Sequence, residues 1–296
     1  VRRKGCEEIV LCSQGQANWA VVRLLRMLHE AEPTVPVFHW GDLDRSGVLT
    51  ESVDIDLPAP VMMHDFAVSA RRIVLFDLPA VFDLPSMLEG GPGIRWDPAA
   101  GARIGVVDRA DLTAPPRWFD VDLFWMFHIL NAHDDGDAVV VEGCRTDRLN
   151  AAFGEDDPVP AAPPVLHRWR IDLAAGTVTD EQLDDRPGDF PRVNDDRAGL
   201  PTRYGYVART SRWEGDEVVF DGFVKHDLEK GTSQEYGYGP GTVAGEVAFA
   251  PDPTRDGDDA GWLLTYVWDR AENTSDLVVV DAAALEEVAR VHLPRR

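Results

Sequence analysis

The feature that most constrains this chain is a turn that recurs at a fixed distance. Ile171-Asp172-Leu173-Ala174-Ala175-Gly176 and His226-Asp227-Leu228-Glu229-Lys230-Gly231 are both D-x-x-x-G turns led by an apolar or aromatic residue, and their aspartates lie 55 residues apart. Val280-Asp281 closes another apolar run 54 residues further on. An earlier turn of the same type is Trp96-Asp97-Pro98-Ala99-Ala100-Gly101. Around these turns the texture from residue 46 onward is all-β. Short apolar or alternating runs, Val61–Val68, Ile73–Leu78, Ala138–Glu142, Glu217–Val224, Trp262–Trp268 and Asp276–Asp281, are separated by Gly, Pro and Asp clusters. A period of about 50 residues, one four-stranded unit each, reads as a β-propeller. A β-sandwich also uses such turns and stays open on pattern alone.

Residues 1–45 read differently. Ile9-Val10-Leu11-Cys12 is a short apolar run, and Val21, Leu24, Leu25 and Leu28 then fall at helical spacing. Pro33 and Pro36 end that helix, and Val37-Phe38-His39-Trp40 is a second short strand. Strand, helix, strand is a βαβ unit, which normally belongs to a parallel sheet. Gly41-Asp42-Leu43-Asp44 follows, and two aspartates so spaced can share a Mg²⁺. The His-Trp-Gly-Asp-x-Asp run resembles the toprim-like part of the nuclease subunit of Wadjet-type plasmid-defence systems. That resemblance implies an alternative metal site at Asp42 and Asp44, over about forty residues. The expected organisation is therefore a toprim-like βαβ segment at 1–45 followed by an all-β region at 46–296.

Charge narrows the partners. The net charge of −23 repels a phosphate backbone or an anionic membrane at long range, so no nucleic-acid partner is expected. No run of about 18 apolar residues is present, so no spanning helix is expected. The basic opening Val1-Arg2-Arg3-Lys4 is followed by acidic residues rather than an apolar h-region, which argues against a signal peptide. Cys6, Cys12 and Cys144 are odd in number and lack a C-x-x-C, pointing to free thiols in a reducing cytoplasm.

Two of the eight histidines keep unusual company. On an extended strand, His64 shares a face with Met62, Phe66 and Val68, and His128 shares one with Phe124, Met126 and Leu130. A buried imidazole needs a partner, because an unpaired polar group in an apolar setting costs several kcal/mol. A hydrogen-bonded core histidine meets that need, and so does metal ligation.

Ordered motifs over roughly residues 46–296 resemble the carotenoid cleavage oxygenases. Met62-Met63-His64-Asp65-Phe66-Ala67-Val68 with Ile73–Pro79 is similar to one ligand-bearing hairpin of that family, and Phe127-His128-Ile129-Leu130-Asn131-Ala132 to a second ligand strand. Gly188-Asp189-Phe190-Pro191-Arg192 with Arg203-Tyr204-Gly205-Tyr206 resembles its acidic-Phe-Pro-Arg segment. Gly245-Glu246-Val247-Ala248-Phe249-Ala250-Pro251 resembles its Gly-Glu-x-x-Phe-x-Pro segment, and Gly261–Leu264 and Ser275–Asp281 follow in family order.

The resemblance implies a seven-bladed propeller with Fe²⁺ on its axis, held by four histidines from different blades. It implies O₂-dependent dioxygenase cleavage of a conjugated C=C in an apolar polyene, a carotenoid or apocarotenoid, with a stilbene as alternative. By this resemblance His64 and His128 are two of the iron ligands. Asp189 and Glu246 stand where the family places carboxylates that accept the outer N–H of a ligating histidine, Asp189 being one methylene shorter than the usual Glu. Phe66, Phe124 and Met126 are the apolar residues expected along a substrate tunnel. The family's other two ligands lie in an Ala-His-Pro-like segment upstream and a Gly-Phe-His-Gly-like segment downstream. Neither occurs in this sequence, and His39, His133 and His292 lack their context. The expectation is a partial propeller with an incomplete iron site, completed by a second chain or else a non-catalytic relic.

Overall fold

The computed structural model describes residues 39–43, 49–91, 93–149, 161–214 and 217–294. The expected first strand and helix of the βαβ unit lie outside the described residues, as does Asp44. Within them the chain is almost entirely strand. β1 (His39–Leu43) pairs antiparallel with β2 (Leu49–Asp54), placing Asp42 opposite Glu51.

Four antiparallel sheets then follow one another along the chain. The first contains β3 (Ala67–Val68), β4 (Arg72–Asp77), β7 (Ala102–Asp108) and β8 (Arg117–Val121). Between its second and third strands sit the hairpin of β5 (Ala80–Phe82) and β6 (Ile94–Trp96) and the five-residue helix α1 (Leu84–Leu88). The second sheet is β9 (Trp125–Asp135), β10 (Ala138–Thr146), β11 (Val165–Asp172) and β12 (Thr177–Gln182). The third is β13 (Gly188–Arg192), β14 (Tyr204–Glu214), β15 (Glu217–Asp227) and β16 (Thr232–Gly237). The fourth is β17 (Thr242–Ala244), β19 (Gly261–Asp269), β20 (Thr274–Asp281) and β21 (Glu286–His292), with β18 (Ala248–Pro251) also pairing β19. In each, sequence order is spatial order, an up-and-down meander.

The recurring aspartates mark one place in this plan. Asp172, Asp227 and Asp281 each end the third strand of their sheet and turn the chain into the fourth. Their side chains accept backbone N–H groups of the turn, from Ala174, Lys230 and Ala283 respectively. Four residues on, the chain needs a left-handed conformation. Gly176 and Gly231 supply it at φ 74° and 64°, but Leu285 holds the third such position at 57°. Asp97 does a different job, leading into the third strand of the first sheet.

Apolar residues on facing sheets form one core between each successive pair. Phe76, Ile104 and Val106 meet Trp125, Val141 and Trp169 between the first and second sheets. Leu130, Cys144 and Leu166 meet Val193 and Val207 between the second and third. Tyr206 and Phe223 meet Leu263, Val267, Val278 and Val280 between the third and fourth. Cys144 is a buried free thiol.

One expected strand is corrected. Val61–Val68 is not continuous: Val61 makes an isolated bridge to Val81, and regular pairing starts only at Ala67. The cause is local. The Asp65 side chain takes the N–H of Phe66, which a ladder would otherwise use. Met62, His64, Phe66 and Val68 therefore do not share one strand face.

His226 generates a testable consequence of this packing. It is buried, with Nδ1 3.5 Å from Asp184 Oδ2. Burial pushes its pKa down to about 4; Asp184 pulls upward and Arg186 adds to the lowering. The unfolded chain, with His near 6.5, binds a proton that the folded chain refuses, so this contribution is complete above about 6.5 and lost as pH falls toward 4. We expect the thermal midpoint to fall between pH 6.5 and 4.5, and His226→Gln to flatten that slope. An unchanged slope in the variant would contradict the assignment.

Candidate metal centre

The first strands of the sheets face one another, β3 against β9 and β9 against β13. The residues expected to carry chemistry sit on or beside these strands. His64 precedes β3, His128 lies in β9, Asp189 in β13, and Glu246 between β17 and β18.

His128 is displayed by an irregular piece of strand. Asn131 pairs with Glu142, Ile129 with Gly143, and Met126 with Arg145, so β9 carries two extra residues over this stretch. Such bulges break the alternation of faces and re-aim side chains. Phe124 and Met126, expected on the His128 face, are buried elsewhere. Phe124 stacks on Trp169 at 5.1 Å and meets Phe76 edge-on, both in the core between the first two sheets. Met126 belongs to the same core and packs its sulfur over Gly143. A Cβ at Gly143 would lie 2.9 Å from Met126 Sδ and 3.1 Å from the His128 carbonyl oxygen, so a larger residue there would have to displace the thioether and shift the bulged strand by a few tenths of an ångström.

His64 stands edge-on to His128, ring centroids 5.2 Å apart at 87°, and edge-on to Phe127 at 5.1 Å. Its outer side is exposed while its inner side is desolvated against those rings. Burial lowers its pKa, the neighbouring His128 lowers it further, and Asp65 and Asp189 pull the other way.

Asp189 completes the arrangement. Its Oδ1 lies 3.0 Å from His128 Nδ1. An ionised carboxylate only accepts, so Nδ1 carries the hydrogen and Nε2 keeps a lone pair for a cation. Burial depresses the His128 pKa, but the bond to Asp189 and its charge outweigh this, and the net shift is upward. The same Oδ1 accepts the N–H of Phe190 at 2.8 Å. Phe190 is held at φ 51°, an uncommon conformation for a bulky residue, where β13 gains one extra residue against β14. Its ring lies 4.8 Å from His128. Strain is thus spent where it sets the imidazole and its carboxylate.

Glu246 is exposed and accepts from Arg192 Nε at 2.9 Å, bridging the third and fourth sheets beside the site. Among the described residues it touches no imidazole through an assigned hydrogen bond, and its charge reaches His128 at longer range. Phe66 is exposed two residues from His64. His292 lies on the outermost strand of the fourth sheet, bonded to Asp276 at 2.6 Å. Among the described residues no group of three or more His, Cys, Asp or Glu side chains gathers around one point. The donors present therefore fit a metal as two neighbouring imidazoles, one with its tautomer fixed.

Comparison with known proteins gives the family. Residues 26–296 match the family described as Retinal pigment epithelial membrane protein, so the chain belongs to this family, that of the carotenoid cleavage oxygenases. The match takes in the His39–Leu43 strand and the Asp42 and Asp44 pair that resemble a toprim-like segment. A carotenoid cleavage oxygenase of Mycobacterium tuberculosis is 31% identical, over 87% of this chain and 60% of its own. The chloroplastic 9-cis-epoxycarotenoid dioxygenase of Arabidopsis thaliana is 32% identical over 88% of this chain and 45% of its own. The crystal structure of the lignostilbene dioxygenase of Pseudomonas brassicacearum superposes with a TM-score of 0.79 at 28% identity, covering 87% of this chain and 57% of that one. The cobalt-substituted apocarotenoid oxygenase of Synechocystis superposes at 0.78 and 25% identity. The fold is that of the carotenoid oxygenase propeller, and the chain spans about half the length of the relatives it matches.

Gly143 and Phe190 were not singled out by sequence reasoning. The signal available for Gly143 was a lone glycine inside the strand-like run Val139-Val140-Val141-Glu142-Gly143-Cys144, a pattern that marks a bulge or a close backbone approach. Gly143→Ala should destabilise the fold by about 1–3 kcal/mol through overpacking. Chemical denaturation measures this, and a change near zero would mean that the bulge does not depend on glycine.

Proposed function

We propose that this chain supplies part of an Fe²⁺-dependent oxygenase of the seven-bladed propeller type. Its reaction is O₂-dependent cleavage of a conjugated C=C in an apolar polyene, a carotenoid or apocarotenoid, or alternatively a stilbene, giving two carbonyl products. The observation that carries this reading is the edge-to-face pair of His64 and His128, with Asp189 on the Nδ1 of His128. Iron bound between such imidazoles would supply the activation of O₂. The chain's own residues do the rest. Asp189 holds the Nδ1 proton, keeping Nε2 available, while Phe127 and Phe190 shield the two rings from water on their inner side. Phe66, exposed beside His64, offers apolar surface to an arriving polyene.

The two further imidazoles of a four-histidine site would come from a second chain completing the propeller. A relative named for isoeugenol, from Pseudomonas nitroreducens, is 27% identical over 86% of this chain and keeps the aromatic-olefin alternative open. No helix among the described residues is long and apolar enough to cross a membrane. The charge of −23 and three cysteines without a C-x-x-C pair support a reducing cytoplasm and no nucleic-acid partner.

Iron stoichiometry after anaerobic Fe²⁺ loading and desalting tests the proposal. Near one iron per chain is expected, lost in His64→Ala and in His128→Ala. No retained iron in the wild type would instead make this chain a non-catalytic member of the family. Asp189→Asn keeps the size of the side chain but forfeits its charge, and should weaken Fe²⁺ binding by about 10–100-fold. An equal affinity in a competition titration with a chelator would remove Asp189 from the site.

A further inference from the structure

We propose that Asp65 is the positioning residue of the imidazole pair: one carboxylate ties the backbone beside His64 to the backbone beside His128. Asp65 Oδ2 accepts the N–H of Ile129 at 2.9 Å, and Oδ1 accepts the N–H of Phe66 at 2.8 Å. Asp65 directly follows His64, and Ile129 directly follows His128. The bridge therefore spans two segments 64 residues apart in sequence and grips each within one residue of its imidazole.

The need for such a bridge follows from the strands. β9 is the edge strand of the second sheet, so its N–H groups directed away from β10 find no ladder partner. The segment before β3 does not pair regularly either. His64 thus precedes regular pairing and His128 sits in the bulged stretch of a strand held by β10 on one side only, whereas a metal site tolerates only about 0.5 Å of misplacement. Asp65 supplies the missing acceptor for β9 and at the same time fixes its own segment. Both its oxygens accept backbone donors, and among the described residues no imidazole N–H is bonded to it. That task at His128 belongs to Asp189.

A second carboxylate provides the control. Asp134 Oδ2 accepts the N–H of Arg71 at 2.9 Å, tying the same strand β9 to the β3–β4 turn, six residues beyond His128. It too ties β9 to the start of the first sheet through a backbone N–H, with the Arg71 Nε also 3.5 Å from its Oδ1, away from the imidazoles.

The test uses the full chain with isotope-labelled histidine, without metal. His64 ring protons lie against the edges and faces of Phe127 and His128 and should be shifted by their ring currents. In Asp65→Ala these resonances should move toward those of an exposed histidine, and in Asp134→Ala they should stay. Thermal midpoints should fall in both variants, because each loses a tie between the first two sheets. Fe²⁺ affinity should drop about 10–100-fold in Asp65→Ala alone. Asp65→Asn, which keeps one acceptor oxygen, should give intermediate resonance shifts and carries the test if the alanine variant does not fold. Unmoved His64 resonances in the Asp65 variants, or equal movement in Asp134→Ala, would overturn the proposal. This rests on the metal-centre reading only for its affinity arm. Wild type without iron would sink that reading, while the metal-free spectra would still decide the role of Asp65.

Discussion

A four-stranded meander with apolar residues on both faces cannot stand alone, because an uncovered face leaves its side chains in water. That constraint organises this chain. Each sheet buries a face against the next through Phe76 and Trp169, through Leu166 and Val207, and through Phe223 and Leu263. Successive covering brings the first strands of the sheets together. Edge strands that meet there carry unsatisfied backbone and polar side chains, and these must find one another. His128 finds Asp189, and Ile129 finds Asp65. The site is thus the place where the demand for covered faces and the demand for paired polar groups are met together.

Much of the architecture was legible in the sequence. Runs such as Trp262–Trp268 and Asp276–Asp281 lie within the strands Gly261–Asp269 and Thr274–Asp281, since alternation of apolar residues reports a half-buried strand directly. The aspartate turns repeat because one side chain can satisfy the N–H groups of a tight reversal. What failed was the assumption that alternation continues through the site. β9 gains two residues against β10, so Phe124 and Met126 enter the core while His128 turns elsewhere. A bulge depends on register with a partner strand, and register is a property of two segments that one segment's periodicity does not contain. Phe190 escaped for a similar reason, because nothing local marks a bulky residue for the left-handed region.

The excess of aspartate also takes on a structural meaning. Asp97, Asp111, Asp172, Asp252, Asp269 and Asp281 each accept backbone N–H groups in turns. Others hold arginines between strands, as Asp221 holds Arg209 and Asp227 holds Arg203. Several of these carboxyls sit below the usual carboxylate range because of those partners, Asp227 through Arg203 first of all. Part of the chain's acidity is thus turn chemistry made visible.

The three inter-sheet cores are unequal, and the smallest among the described residues, built on Leu130, Cys144, Leu166, Val193 and Val207, lies between the second and third sheets. The His128–Asp189 bond crosses that same boundary. Local opening begins where little apolar surface holds two units together. Gentle warming would therefore part the imidazole from its carboxylate while the flanking sheets remain folded.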